Sequence, residues 1–252
     1  GVDGVAGERA KEASLESLGR QLVDLKDAFS KSEVWKPTLW LFLWQSTPTS
    51  DGAFLYFMTD ELGLDAEFLG RVKLVTSVAG LAGVVVYNRF LKNVPIKSVL
   101  KWSSVAGAVL GMTQLILVNH WNQALGLPDR MFVYGDDVIL TVLGQVAFMP
   151  TLVLAAKLCP VGVEGTLFAL LMSTFNLAGI VGSEVGAALT KVLGVSSKDF
   201  GNLALLVGIC NLSSLYPLAF IDSFLREDYS ADDEDDGDGA GDEGDPSIPS
   251  DR

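Results

Sequence analysis

Residues 138–156 read VILTVLGQVAFMPTLVLAA, a run in which only Thr141, Gln145 and Thr151 have polar side chains. A soluble core helix alternates apolar and polar faces with a period of about 3.6 residues, and this run has no wet face. It is long enough to cross a hydrocarbon layer of about 30 Å, which takes about 20 mostly apolar residues. The same criterion, moved outward along the chain, finds windows at 36–59, 69–89, 96–118, 166–192 and 201–225. The expected fold is an all-α membrane protein whose six transmembrane helices occupy residues 36–225. A polar amphipathic linker helix is expected over 1–35 and a disordered acidic tail over 226–252.

Composition agrees once position is considered. The chain is 49% hydrophobic, yet 31 acidic and 18 basic residues give a net charge of −13, a combination foreign to an ordinary soluble domain. The acidity gathers after Glu227, in runs such as Asp232-Asp233-Glu234-Asp235-Asp236. Such a segment cannot bury enough apolar surface to offset its ordering entropy. The body is close to neutral, so a basic footprint for nucleic acid is missing. Cys159 and Cys210 lie in apolar stretches and are expected to be membrane-buried and reduced. The start shows neither an initiator Met nor a signal peptide, so a fragment lacking its upstream part is expected. There Leu15, Leu18, Leu22, Leu25 and Phe29 form one apolar stripe, suited to a helix lying on the membrane or the body.

An even number of spans puts both ends on one side. Lys26, Lys31, Lys36, Arg89, Lys92, Lys97, Lys101, Lys157 and Arg226 flank spans on the side of the ends. They outnumber Arg71, Lys73, Arg130, Lys191 and Lys198 on the other. The positive-inside bias then places both ends in the cytosol, or in the stroma if the membrane is a plastid envelope. Trp35, Trp40, Trp102 and Trp121 fall near span ends, where indole rings favour the interface.

Some motif matches fail on context. Gly239, Gly241 and Gly244 fit a dinucleotide fingerprint but lack the strand and helix that would aim amides at a pyrophosphate. Asp232, Glu234, Asp236 and Glu243 approach a calcium loop without flanking helices, because Pro246 and Pro249 follow. Asn211-Leu212-Ser213 is a sequon in mid-span, and His120 stands alone beside Trp121, so no metal site is expected. No Walker loop, nucleophile elbow or zinc spacing marks an enzyme or calls for a cofactor.

Polar groups at membrane depth are costly unless they face a cavity or a partner, which makes them the functional candidates. In Trp44-Gln45-Ser46-Thr47-Pro48-Thr49-Ser50-Asp51-Gly52 they point in every helical direction, and Pro48 removes a backbone hydrogen bond. A broken first span is expected, of the kind whose freed amides and carbonyls build solute sites near the midplane. Gln45, Thr49 and Asp51 are its candidate substrate contacts; a proline kink with a locally satisfied carboxylate is the bland alternative. Arg71 and Lys73 open the second span and suit an anionic solute, or else snorkel to the interface. In the fifth span Ala169, Ser173, Asn176, Gly179, Ser183, Gly186 and Thr190 share a small, polar stripe. Ser173 and Asn176 join the substrate candidates, and Ala178, Gly182 and Gly186 allow a close backbone approach. Asp51 and Glu184 are the candidate proton carriers. Gln114 and Gln145 are weaker candidates.

The stretches Lys36-Pro37-Thr38, Phe42 to Gln45, Ser50-Asp51 and Ala53 to Met58 carry a family signal. So do Phe68 to Val75, Tyr87 to Lys92, Leu140 to Pro160, Thr166 to Asn176, Asn202 to Leu206 and Cys210 to Ser214. In these the chain resembles the folate-biopterin transporters, over roughly 36–217. The resemblance implies one half of a twelve-helix major-facilitator fold. It also implies proton symport of folates or pterins by alternating access, with an N-terminal six-helix half as partner and a plasma membrane or plastid envelope as location. Asp51 would accept hydrogen bonds from the pterin edge, and Arg71 or Lys73 would draw the glutamyl carboxylates. Glu184 departs from the small residues expected at its position. A carrier of another organic anion, and a membrane scaffold that transports nothing, are the competing readings.

Overall fold

A computed structural model describes residues 30–159 and 164–225, all helices and connections apart from one isolated bridge between Ser196 and Asp199. The expected linker helix and acidic tail lie outside the described residues. Among the described residues, five helices are long and apolar enough to cross a membrane: Ala66–Leu91, Ile96–Val118, Asp129–Lys157, Gly165–Val192 and Leu203–Phe224. The remaining window, 36–59, is the interrupted one. It forms α1 (Ser32–Gln45), a non-helical stretch, then α2 (Asp51–Tyr56) running into a π-turn at Phe57–Glu61.

The other elements follow from local chemistry. Asp65 caps α3 (Ala66–Val86) by accepting the Phe68 amide at 2.7 Å. α4 (Ile96–Gly111) and the short α5 (Gln114–Val118) make one span with a turn between them, and α6 (Trp121–Ala124) lies in the following connection. α7 (Asp129–Lys157) begins directly after Pro128, so it starts well before the expected position 138 and carries Asp136 and Asp137 inside the helix. α8 (Glu164–Val192) follows, then α9 (Leu203–Ser213), a 3-10 turn at Tyr216–Phe220 and α10 (Ile221–Phe224). Pro217 stands at the start of that turn, where its missing amide hydrogen removes one rung of the α-helical ladder.

Trp40 departs from expectation. It is fully buried rather than interfacial, and its indole nitrogen donates to the Pro217 carbonyl at 2.8 Å. That carbonyl sits in the 3-10 turn, so the indole satisfies a group that α-helical geometry would otherwise have used. Trp35, Trp102 and Trp121 are exposed, as interface residues would be.

Packing runs α3 and α4 along α7, and α1 along α8. Apolar side chains gather into two main clusters. One holds Trp40, Leu41, Ile96, Leu100, Leu154, Leu171 and Ile221. The other holds Phe54, Phe57, Phe68, Val133, Leu203, Leu206 and Val207. On each of the chains α1–α2, α4–α5, α7 and α9–α10 the two clusters claim opposite ends. Between them the sequence turns polar: Gln45 to Asp51, Ser103 and Ser104, Gln145, Asn211 and Ser214. At about 1.5 Å per residue, Gly144 stands near the middle of an α7 about 43 Å long. The bundle therefore has two apolar ends and a polar middle.

At the end that carries the first cluster, Lys97 and Lys101 both pair with Asp222, at 2.7 and 2.8 Å. This ties the start of α4 to α10.

Candidate functional site

The polar middle is organised by the break in the first span. Helix α1 stops at Gln45, where Pro48 has no amide hydrogen to continue the ladder. Carbonyls exposed by the stop are taken up locally. Thr47 Oγ1 donates to the Trp44 carbonyl at 3.1 Å and Ser46 Oγ to the Leu43 carbonyl at 3.3 Å.

Helix α8 supplies the other side of the segment. Its buried face is Leu167, Leu171, Phe175, Ala178, Gly182 and Gly186. A Cβ on Gly182 would stand 2.6 Å from the Thr47 carbonyl oxygen, and one on Gly186 would collide with the Thr49 carbonyl. The Thr49 amide donates to the Gly182 carbonyl at 3.4 Å. The spacing of small residues expected to admit a neighbouring backbone therefore admits the unwound segment itself.

On the opposite side of the segment lies a cavity of about 630 Å³, walled by α1, α4, α7, α9 and residues of the break. That volume is in the range of about 300–1,000 Å³ typical of small-molecule sites. Gln45, Thr47, Thr49, Ser104, Gln145 and Asn211 bring polar groups to it, and Trp44 brings an aromatic face. Trp44 is fixed by its indole N–H donating to Ser104 Oγ at 3.0 Å and by stacking on Trp40, with centroids 6.2 Å apart. Asn211 Nδ2 donates to the Val207 carbonyl at 2.9 Å and the Gly111 carbonyl at 3.3 Å. Ser214 Oγ donates to the Asn211 carbonyl at 2.7 Å. An aromatic plate with amides and hydroxyls around it can hold a flat, hydrogen-bonding heterocycle.

Of the residues singled out from sequence, Gln45 and Thr49 line this cavity. Asp51 is the first residue of α2, exposed just beyond it, with the Thr49 side chain as hydrogen-bond partner. Lys73 lines a second, smaller groove between α3 and α7, with Gln145 common to both spaces. Arg71 lines neither and pairs with Glu67 one turn earlier on an exposed face. Ser173, Asn176 and Glu184 also line neither; they sit on the exposed side of α8, and Ser173 Oγ donates to the Ala169 carbonyl at 2.8 Å.

Asp136 and Asp137 escaped the sequence reading. Asp136 accepts from Thr113 Oγ1 of the α4–α5 turn, and Asp137 lies within electrostatic range of Asp136, Asp51 and Lys73. Their one available signal was Pro128-Asp129, a helix start that would have placed both acids two turns inside α7.

Membrane-length apolar helices, with an interrupted span beside a cavity of mixed polar and apolar lining, define a multi-pass integral membrane protein. The chain belongs to the BT1 family, whose model matches residues 8–243. It is similar to a folate-biopterin transporter of Synechocystis sp., 57% identical over 194 residues that cover 77% of this chain and 39% of that protein. It is also similar to a probable folate-biopterin transporter 4 of Arabidopsis thaliana, 33% identical with 82% and 42% of the two chains covered. A folate transporter 2 of Plasmodium falciparum is 27% identical, with 84% and 47% covered. The chain thus spans less than half the length of these relatives. No solved structure matches it.

Proposed function

We propose that the chain forms one wall of a secondary-active carrier of folates or pterins. The carrier is of major-facilitator type, works by alternating access and is coupled to protons. The carrying observation is the polar cavity at mid-depth beside an interrupted span, in a chain whose relatives are named as folate or folate-biopterin transporters. Those names also support a carrier rather than an enzyme. A pterin ring would lie on Trp44, with Gln45, Thr49, Gln145 and Asn211 offering donors and acceptors to its edge. Asp51, two residues beyond Thr49 in the chain, would accept from the amino and ring nitrogens or pass the coupling proton; Glu184 is the second candidate for the proton.

A second six-helix half, N-terminal to this one, would close the site. Lys73, Ser173, Asn176 and Glu184 lie on exposed faces of α3 and α8, and polar groups at that depth are costly against lipid. Both ends of this half would lie in the cytosol or stroma, in a plasma membrane or plastid envelope. A carrier of another organic anion is the second reading, favoured by Lys73 alone.

Thiol accessibility tests the cavity. In a cysteine-free full-length protein, Thr47→Cys should react with a water-soluble maleimide, and biopterin or folate should slow the reaction several-fold. Labelling that neither solute slows contradicts a pterin site.

A further inference from the structure

The smaller groove, about 290 Å³, is walled by Lys73, Thr76, Ser77 and Gly80 of α3 and by Thr141 and Gln145 of α7, with Leu81 and Val84 at one end. Lys73 stands seven residues into a membrane-length helix, about 10 Å from its start. An ammonium, three hydroxyls and an amide at that depth would be costly against lipid, so the groove faces water or another part of the protein. Among the described residues the Lys73 ammonium makes no ion pair. Asp137, one turn before Thr141 on α7, lies within its electrostatic range.

The groove and the main cavity have one side chain, Gln145, as a common wall. Helix α3 passes α7 closely at Gly83, where a Cβ would stand 2.7 Å from Gln145 Cβ. One turn earlier, a Cβ on Gly80 would meet Gln145 Cγ at 3.5 Å and Nε2 at 3.8 Å. The glutamine stem therefore crosses between the helices, with its amide lying over Gly80. Thr76 Oγ1 and Ser77 Oγ both donate to the Lys73 carbonyl, at 3.1 and 2.7 Å. That leaves the ammonium, the Gln145 amide and the Thr141 hydroxyl as the donors available to an anion.

We infer that this groove is a carboxylate subsite that sorts pterins by their acidic tail, with Gln145 as the wall it shares with the ring-binding cavity. A ligand seated on Trp44 reaches the groove only if it carries an arm beyond the ring. Folate has such an arm, ending in glutamyl carboxylates, and biopterin has a short neutral side chain. Lys73 thus favours the tailed substrate and is indifferent to the ring. The inference rests on the carrier reading above and adds to it a basis for choosing between solutes.

The test is initial uptake of labelled folate and biopterin, below saturation, into proteoliposomes holding the full-length protein. Losing one charge-assisted hydrogen bond costs about a factor of ten. Lys73→Gln should therefore lower the ratio of folate to biopterin uptake about tenfold, and Lys73→Arg should return it to within about twofold of wild type. A ratio that stays put in Lys73→Gln overturns the subsite, whether the two rates fall together or hold. A wild-type protein that moves neither solute overturns the carrier reading itself, and the subsite with it.

Discussion

Asp51→Asn in the full-length protein is expected to cut pterin uptake about a hundredfold while leaving the protein folded. The change is nearly isosteric and falls on an exposed side chain at the start of α2, so packing has little to lose. The chemistry changes more. A carboxylate accepts two hydrogen bonds from adjacent N–H donors, as the amino group and ring nitrogen of a pterin present them. An amide offers one acceptor and turns its own NH2 against the second donor. Hydrogen bonds to charged groups contribute about 1.5–3 kcal/mol each, and a loss of about 3 kcal/mol is about a hundredfold. If Asp51 carries the proton instead, the signature differs: exchange of labelled for unlabelled pterin persists while accumulation driven by a proton gradient is lost. Gradient-driven uptake that survives at the wild-type rate removes Asp51 from both roles.

Gly186→Ala is the second large effect, and its cause is steric. The added methyl would meet the Thr49 carbonyl and, at about 3 Å, the Thr49 amide nitrogen. Both are backbone atoms that cannot rotate aside. Overpacking of this kind costs about 1–3 kcal/mol, against which the alanine recovers up to about 1 kcal/mol of helix propensity. Net destabilisation is expected, visible as a lower Tm in detergent, and uptake should fall further because Thr49 moves off the cavity wall. Gly208→Ala is the control, since a Cβ there meets nothing within 4 Å. A Gly186→Ala protein with wild-type Tm and uptake would mean that the unwound segment does not rest on α8.

The architecture was legible because membrane depth imposes simple rules. Long apolar runs must be helices, so the window 96–118 coincides with the span Ile96–Val118. A proline amid polar residues cannot sit quietly in such a run, so the break at Pro48 could be read in advance. The backbone approach to Gly182 and Gly186 followed from residue size. Partner choice was another matter. An angular stripe on α8 shows which residues share a face but not what covers that face, and the stripe through Ser173 and Asn176 is the exposed one. Ser104, Asn211 and Ser214 were hidden for a related reason. A hydroxyl or amide within a span bonds its own helix or points into a cavity, and only neighbouring helices decide which. Asp136 and Asp137 escaped because the apolar window begins just after them, at residue 138, although the helix already starts at Asp129.

In the proposed carrier this mid-depth cavity takes pterins across a membrane. Its most direct test is uptake of labelled folate and biopterin into proteoliposomes of the full-length protein, with and without a proton gradient. Saturable uptake that the gradient drives, and that unlabelled pterins compete away, is the predicted result. A folded protein that moves neither solute under either condition would contradict it.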